Sequence, residues 1–136
     1  MSVNLNALKQ YKSVDLRATV ETASPHKLIS MLLEGALTAL AKAKGATERG
    51  QIEERTEHLN KATDIIVGLK GSLDLDKGGE LAANLDELYN YMIRQVLLAN
   101  RENDEKKIQE VMDLILEVRS GWSAMPVEVQ IQETNK

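Results

Sequence analysis

The chain of 136 residues has the length of one domain and carries a formal net charge of −4. Cysteine is absent, which excludes disulfides, thiol catalysis and cysteine-ligated zinc. Basic residues form no cluster that could neutralise phosphates, so nucleic acid is not an expected partner. Hydrophobic residues make up 43% and charged residues 28%, as in folded globular proteins rather than disordered ones.

The apolar residues are mainly aliphatic, with 3% aromatic residues and no phenylalanine. Leucine, alanine and methionine favour helices, whereas sheets draw more on aromatic and β-branched residues. The only prolines are Pro25 and Pro126, so nothing between them interrupts long helices. The composition therefore predicts an all-α protein.

The first helix is predicted to begin at Ser24-Pro25, because serine suits the N-cap and proline the first helical position. Gly45 and Gly50 mark its end region. A second helix is predicted from Gln51 to Leu73, with a heptad-like apolar seam. On this helix Glu53, Glu54, Arg55, Glu57 and Lys61 are predicted to face water. The following stretch, 74–79 (DLDKGG), predicts a turn.

The third helix is predicted to begin near Glu80, and the segment 100–104 (NREND) predicts the next break. The fourth helix carries apolar residues at steps of three and four up to Trp122. Four helices joined by short loops predict an antiparallel four-helix bundle over residues 24–122.

The two ends of the chain fall outside the predicted bundle. Residues 1–23 form a short amphipathic segment in which Leu8, Tyr11 and Val14 recur at steps of three. Residues 123–136 are predicted to be a mobile tail. We find neither a signal-peptide pattern nor an apolar run of about 18 residues, so we expect a cytoplasmic protein without membrane insertion.

Motifs for catalysis or metal binding are not found. A di-metal bundle needs Glu-x-x-His repeats, but Ala23 and Arg55 stand three residues before His26 and His58. The stretch 74–79 begins like a calcium loop, yet Leu85 occupies the position of the bidentate glutamate. Without a nucleophile elbow or a Walker loop, we expect no cofactor and no enzymatic activity.

Two functions of helical bundles stay open on the residues: histidine phosphotransfer and simple oligomerisation. Histidine phosphotransfer domains place an exposed histidine on a bundle helix, typically as His-x-Leu-Lys-Gly, and the stretch 58–61 (HLNK) departs from that pattern at several positions. A simple helical oligomerisation module would bury surplus apolar stripes in a self-dimer, and a weak homodimer is also compatible with the binding of another polypeptide.

The first and third helices carry wider apolar sectors than one core requires. On the third helix the sector spans roughly 240°, against the 100° or more expected of a helix that covers one core. Apolar surface left over on a folded protein often marks a partner site, and a groove between helices suits an amphipathic helix. The residues predicted to contact a client polypeptide are Ile29, Leu33, Leu37, Tyr89, Ile93 and Leu97.

Several stretches together resemble the FliS family of flagellin export chaperones. The matching stretches are 22–29 (TASPHKLI), 60–62 (NKA), 72–74 (SLD), 78–92 (GGELAANLDELYNYM), 99–100 (AN), Asp104, 110–111 (EV) and Trp122. The resemblance covers residues 10–122 in register. One departure is Leu33, where the family often has tyrosine within Leu-Tyr-Asp-Gly; the change removes an aromatic side chain that could contact a partner.

The resemblance implies a specific role. Such chaperones bind the C-terminal region of new flagellin in the cytoplasm, prevent early polymerisation and deliver flagellin to the export gate of the flagellar type III apparatus. It also implies that the N-terminal segment can occupy part of the client surface when the client is absent, with Tyr11 contacting the bundle and the export gate. We therefore predict that this segment acts through Leu8, Tyr11 and Val14 as a displaceable lid.

Overall fold

The computed structural model describes residues 25–124, which form four α-helices. They are α1 (Pro25–Glu48), α2 (Ile52–Gly71), α3 (Gly79–Glu102) and α4 (Glu105–Ala124). The predicted all-α class is confirmed, and α4 extends two residues beyond its predicted end at Trp122. The predicted lid segment 1–23 and residues 125–136 of the predicted tail lie outside the described residues.

The four helices pack in a square, in which each helix contacts the preceding and following helix and α1 also contacts α4. Short connections reverse the chain between consecutive helices, so neighbours run antiparallel. None of these described helices is long and apolar enough to span a membrane.

The connection between α2 and α3 is the predicted turn. The Asp74 carboxylate accepts hydrogen bonds from the backbone N–H groups of Asp76 and Lys77, at 3.1 and 3.0 Å. The N–H of Gly78 donates to the carbonyl oxygen of Asp74 at 2.7 Å. Gly79 then begins α3 with a φ of +59°, a conformation that glycine adopts without the steric cost of a Cβ atom.

The core fills the space between the four helices with aliphatic side chains. Alanines at positions 36, 39, 43 and 46 of α1 are buried, and the position of a Cβ atom on Gly35 would lie 3.4 Å from Cδ1 of Ile65. These small side chains permit close approach between α1 and α2, because interaxial distance depends on the side chains at the contact. The largest fully buried side chains are Leu33, Leu40, Leu59, Ile65, Ile66, Leu69, Met92, Ile108, Ile115, Val96 and Val111.

Polar contacts fix the register of α1 against α4. Glu34 pairs with Arg119, and Lys44 Nζ donates to Gln109 Oε1 at 2.7 Å. Ten residues forward along α1 thus correspond to ten residues back along α4, as an antiparallel pair requires. Near the start of α1, the Trp122 indole N–H donates to the carbonyl oxygen of His26 at 3.2 Å, so the two helix ends are joined.

Arg55 is buried, and the prediction that it faces water is wrong. Its Nε donates to Asn100 Oδ1 at 3.0 Å and its Nη2 to the Asn100 carbonyl oxygen at 3.0 Å, while Nη1 bonds the side chain of Asn103. Asn103 is the C-cap of α3, in the left-handed conformation at φ 55°. The guanidinium therefore satisfies oxygen atoms at the C-terminal end of α3, where the helix dipole favours a cation.

Replacing Glu105 by glutamine is expected to raise the melting temperature at pH 7 and to leave it nearly unchanged at pH 4. Glu48, mainly through a side-chain hydrogen bond, raises the pKa of Glu105 in the folded protein. Because the pKa of Glu105 is raised in the folded protein, binding of the proton stabilises the folded state at low pH, and this stabilisation is lost as pH rises through that pKa. Glutamine resembles the protonated carboxyl at every pH, so the variant does not lose this stabilisation. Thermal unfolding at both pH values measures the difference, and an equal change at pH 4 and pH 7 would contradict this coupling.

Candidate binding surface

Three of the six residues predicted to contact a client lie in the core. Ile29, Leu33 and Tyr89 are 6%, 0% and 3% exposed. Burial accordingly raises the pKa of the Tyr89 hydroxyl. Their side chains are covered in this conformation because each helix of the bundle packs against two neighbouring helices, which together bury much of a wide apolar sector. Their part in client binding stays a prediction, but they offer no free surface to a partner.

The other three residues lie on two opposite edges of the bundle. Leu37 is half-buried and sits on the α1 edge that faces α4, since Glu34 and Lys44, three residues before and seven after it, both bond α4. Ile93 is half-buried against the core, and Leu97 is 58% exposed. The structure therefore brings Ile93 and Leu97 together and separates Leu37 from them.

Ile93 and Leu97 belong to a stripe of α3 that faces α2. The stripe is bounded by two residues that bond α2 directly. At one end Asp86 pairs with Lys70 at 3.2 Å, and at the other Asn100 Oδ1 accepts from the Thr56 hydroxyl at 3.0 Å. Residues at steps of three, four and seven share one side of a helix, so Ile93 and Leu97 lie between these two contacts.

The facing stripe of α2 contains Thr56 and Lys70, the partners of Asn100 and Asp86. Ile52 lies four residues before Thr56, and Val67 lies three before Lys70, so both are on the α3 side of the helix. Ile52 is 63% exposed and Val67 is 41% exposed. We call the surface formed by Ile52, Thr63, Val67, Ile93 and Leu97 the α2–α3 face.

Ile52 and Val67 were not among the predicted client contacts. The heptad-like seam of leucine, alanine and isoleucine on α2 already accounts for one buried side, so no surplus apolar sector was predicted for this helix. Val67 is a large apolar residue off that seam, whereas Ile52 lies on it, seven residues before Leu59, at the first residue of the helix. Together with Leu97, they account for half of the exposed large hydrophobic residues in the described part of the chain.

A second concave surface lies on the outer and α4 side of α3. It is an open depression of about 610 Å³. Its lining residues are Asn84, Glu87, Leu88, Asn90, Tyr91 and Arg94. The Tyr91 hydroxyl donates to Glu110 Oε2 at 2.8 Å, and this bond raises the pKa of Tyr91. Because this depression is lined mainly by polar groups, the α2–α3 face suits an apolar partner better.

The other residues singled out from the sequence are the three lid residues and His58. Leu8, Tyr11 and Val14 lie outside the described residues. His58, the candidate for phosphotransfer, is half-buried on α2. In residues 25–124 we find no group of three or more histidine, aspartate or glutamate side chains placed to hold a metal ion.

Comparison with known proteins gives matches along nearly the whole chain. The family model described as flagellar protein FliS matches residues 7–129. The flagellar secretion chaperone FliSB of Pseudomonas aeruginosa is 49% identical over 121 residues, covering 89% of this chain and 96% of the relative. The flagellar secretion chaperones FliS of Salmonella typhimurium and Vibrio cholerae are 43% identical over 130 residues and 39% identical over 122. These alignments cover 95% and 90% of this chain, and 96% and 90% of the two relatives.

Proposed function

The chain belongs to the FliS family of flagellar proteins, and on this basis we propose that it is a flagellar secretion chaperone whose client is flagellin. In this proposal it acts in the cytoplasm, binds the C-terminal region of flagellin before assembly and passes it to the export gate of the flagellar type III apparatus. The names of the relatives support the chaperone role in secretion. The choice of flagellin and of the export gate rests on the resemblance of the sequence to the family.

The observation that carries the proposal is the exposed apolar stripe of the α2–α3 face. Ile52 and Leu97 are each more than half exposed, and Val67 extends the stripe along α2. Contiguous apolar side chains on a surface mark an interaction site when polar residues border them. Two antiparallel helices present such side chains along a shallow groove, which fits the apolar side of one amphipathic helix.

A client that binds here would make apolar contacts with the chaperone in place of apolar contacts with other client molecules. Flagellin termini that assemble through amphipathic helices would otherwise associate with one another, so covering their apolar sides prevents early polymerisation. The client would order as it binds, and part of the contact free energy would offset the lost chain entropy. We therefore expect moderate affinity and ready release.

Leu37 extends the proposal to a second contact region. It lies on the α1–α4 edge, opposite the α2–α3 face, so one straight helix could not reach both. A client that touches both regions must pass around the bundle as two segments joined by a turn. This arrangement fits the resemblance, which implies that the flagellin segment wraps along the bundle.

Calorimetry tests the proposal directly. The full-length chain is titrated with a C-terminal fragment of flagellin, and we expect saturable binding with a negative heat-capacity change, because apolar surface is buried. A fragment from the central part of flagellin serves as the control. No binding of the C-terminal fragment at tens of micromolar would rule out the flagellin chaperone assignment.

Replacing Leu97 by aspartate is expected to weaken binding of the flagellin fragment by about tenfold or more, since a charge in an apolar contact must be desolvated. Leu97 is exposed, so the variant should fold normally. The matched control is Leu116→Asp, which changes a 39% exposed leucine on α4. Equal affinity for the two variants would show that the client does not use the α2–α3 face.

A further inference from the structure

The outer edge of the contact between α1 and α4 is a ladder of level residues. Glu34 is bonded to Arg119 and Lys44 to Gln109, and ten residues separate these two bonded pairs on both helices. Because both helices rise equally per residue, the residues between the pairs are level as well. Positions three, four and three residues apart share one side of a helix. The α1–α4 edge is thus defined by Glu34, Leu37, Ala41, Lys44, Gln109, Met112, Leu116 and Arg119.

The middle of the α1–α4 edge is apolar and partly open. By this spacing Leu37 lies level with Leu116, and Ala41 lies level with Met112. Leu37 and Met112 pack against the core and are half-buried, whereas Ala41 is exposed and Leu116 is 39% exposed. Each level pair therefore has one side chain in the core contact and one at the surface. The edge offers a partner an apolar strip that the two bonded polar pairs border.

The α1 side of this edge is self-complementary under a two-fold rotation. Its spacing of three, four and three reads the same from either end, so an axis across the helices places the edge positions of two copies against each other. Glu34 of one copy then faces Lys44 of the second, and the small side chain of Ala41 faces Leu37. Opposite charges and apolar side chains therefore meet along α1.

The same rotation is favourable along α4. Arg119 of one copy faces Gln109 of the second, whose side-chain amide donates to Asp113 Oδ1 at 2.9 Å, so a carboxylate lies beside the position of the arginine. Leu116, which is partly at the surface, faces Met112. The apolar strip of one copy thus covers the apolar strip of the other.

Charge also selects this axis over one that runs along the helices. Glu48, whose side chain bonds that of Glu105, continues the ladder by four residues on each helix. With the axis along the helices, this acidic pair would face the same acidic pair of the second copy, which is repulsive. With the axis across the helices, the acidic pair faces Ser30 and Ser123, whose hydroxyls can donate hydrogen bonds to carboxylates.

We propose that a second copy of this chain covers the α1–α4 edge in the absence of a client, with α1 against α1 and α4 against α4 about an axis across the helices. The four helices form an antiparallel bundle whose core is the apolar middle of both edges. Two helices, each about 30 Å long and about 10 Å wide, limit the contact to about 600 Å² per copy, less than a standard interface. The dimer is therefore weak, and a client segment that reaches Leu37 displaces the second copy. This inference does not depend on the identity of the client.

Sedimentation equilibrium of the full-length chain at low ionic strength tests for the dimer at concentrations from about 10 to about 500 µM. We expect the mean mass to rise with concentration from 15.1 kDa toward twice that value. Leu116→Asp should abolish the rise, because it places a charge in the apolar middle of the contact, and Leu97→Asp on the α2–α3 face should leave it unchanged. A constant mass up to about 500 µM, or a dimer that only Leu97→Asp dissolves, would overturn the inference.

Charge exchange between two variants tests the orientation. Glu34→Lys alone should weaken the dimer about tenfold, because it brings lysines together at both ends of the contact between the α1 helices. Lys44→Glu alone should weaken it similarly by bringing glutamates together. An equal mixture of the two variants should regain the affinity of the unchanged chain, since every facing pair is again of opposite charge. The bonds that these substitutions remove within each copy stay broken in the mixture, so the recovery can come only from contacts between copies.

The matched control variants are Glu57→Lys on α2 and Arg101→Glu on α3, which make the same changes in net charge at exposed positions away from the α1–α4 edge. Each should dimerise like the unchanged chain, and thermal melting by circular dichroism shows whether every variant is folded. Lys44→Gln, which should restore part of the affinity in the mixture, replaces Lys44→Glu if that variant does not fold. A mixture that stays monomeric, or control variants that weaken the dimer as much as Glu34→Lys, would overturn the inference.

Discussion

Replacing Arg55 by methionine is expected to lower the free energy of unfolding by about 2–3 kcal/mol. The guanidinium is the donor for the Asn100 side chain, the Asn100 carbonyl oxygen and the side chain of the cap residue Asn103. Methionine keeps much of the packing volume but leaves oxygen atoms at the buried end of α3 without this donor. Urea denaturation followed by circular dichroism measures the loss.

The control for this change lies at the same end of the bundle. Arg101→Met also removes a guanidinium, but 74% of that side chain is exposed, so we expect a change within about 0.5 kcal/mol. Equal losses for Arg55→Met and Arg101→Met would mean that the buried hydrogen bonds are not the source of the effect. Lysine at position 55 should recover only part of the stability, because an ammonium cannot reproduce the forked geometry of the guanidinium.

Leu33→Ala is expected to cost about 3 kcal/mol of stability, whereas Leu97→Ala should cost less than about 0.5 kcal/mol. Leu33 is fully buried between the helices, and its truncation leaves a cavity that close-packed neighbours fill only in part. Leu97 is 58% exposed and leaves no cavity. Urea denaturation of both variants measures this difference.

Client affinity provides the complementary measurement for the same two variants. At a temperature where both are folded, Leu97→Ala should weaken binding of the flagellin fragment and Leu33→Ala should leave it nearly unchanged. If Leu33→Ala instead weakened binding strongly while remaining fully folded, Leu33 would have to be uncovered in the complex. That outcome would restore Leu33 as a client contact and would require the bundle to open on binding.

The helices and their connections could be predicted from the sequence. Proline at position 25, the aliphatic periodicity and the turn chemistry of 74–79 all act within a few residues, so no knowledge of distant neighbours is needed. The starts of α1 and α3 accordingly agree with the predictions to within about a residue. The family resemblance also requires no tertiary structure, because it rests on an ordered set of short stretches in the sequence.

Tertiary structure alone decided which parts of the wide apolar sectors are covered. A helical wheel shows that Tyr89, Ile93 and Leu97 form one flank of α3, but not where the neighbouring helix meets that flank. In the bundle Tyr89 is buried, Ile93 is half-buried and Leu97 is exposed. This boundary depends on the rotation of each helix about its own axis, which is set by packing across the bundle.

Arg55 and Ile52 are two residues whose burial is the opposite of what their residue types predict. By residue type, arginine belongs in water and isoleucine in the core, yet Arg55 is 7% exposed and Ile52 is 63% exposed. Arg55 is buried because the end of α3 offers it oxygen atoms from a helix distant in sequence. The sequence by itself determined four amphipathic helices with surplus apolar residues. Only the packing of α2 against α3 decided which of those residues became surface, because burial is a property of neighbours and not of the residue.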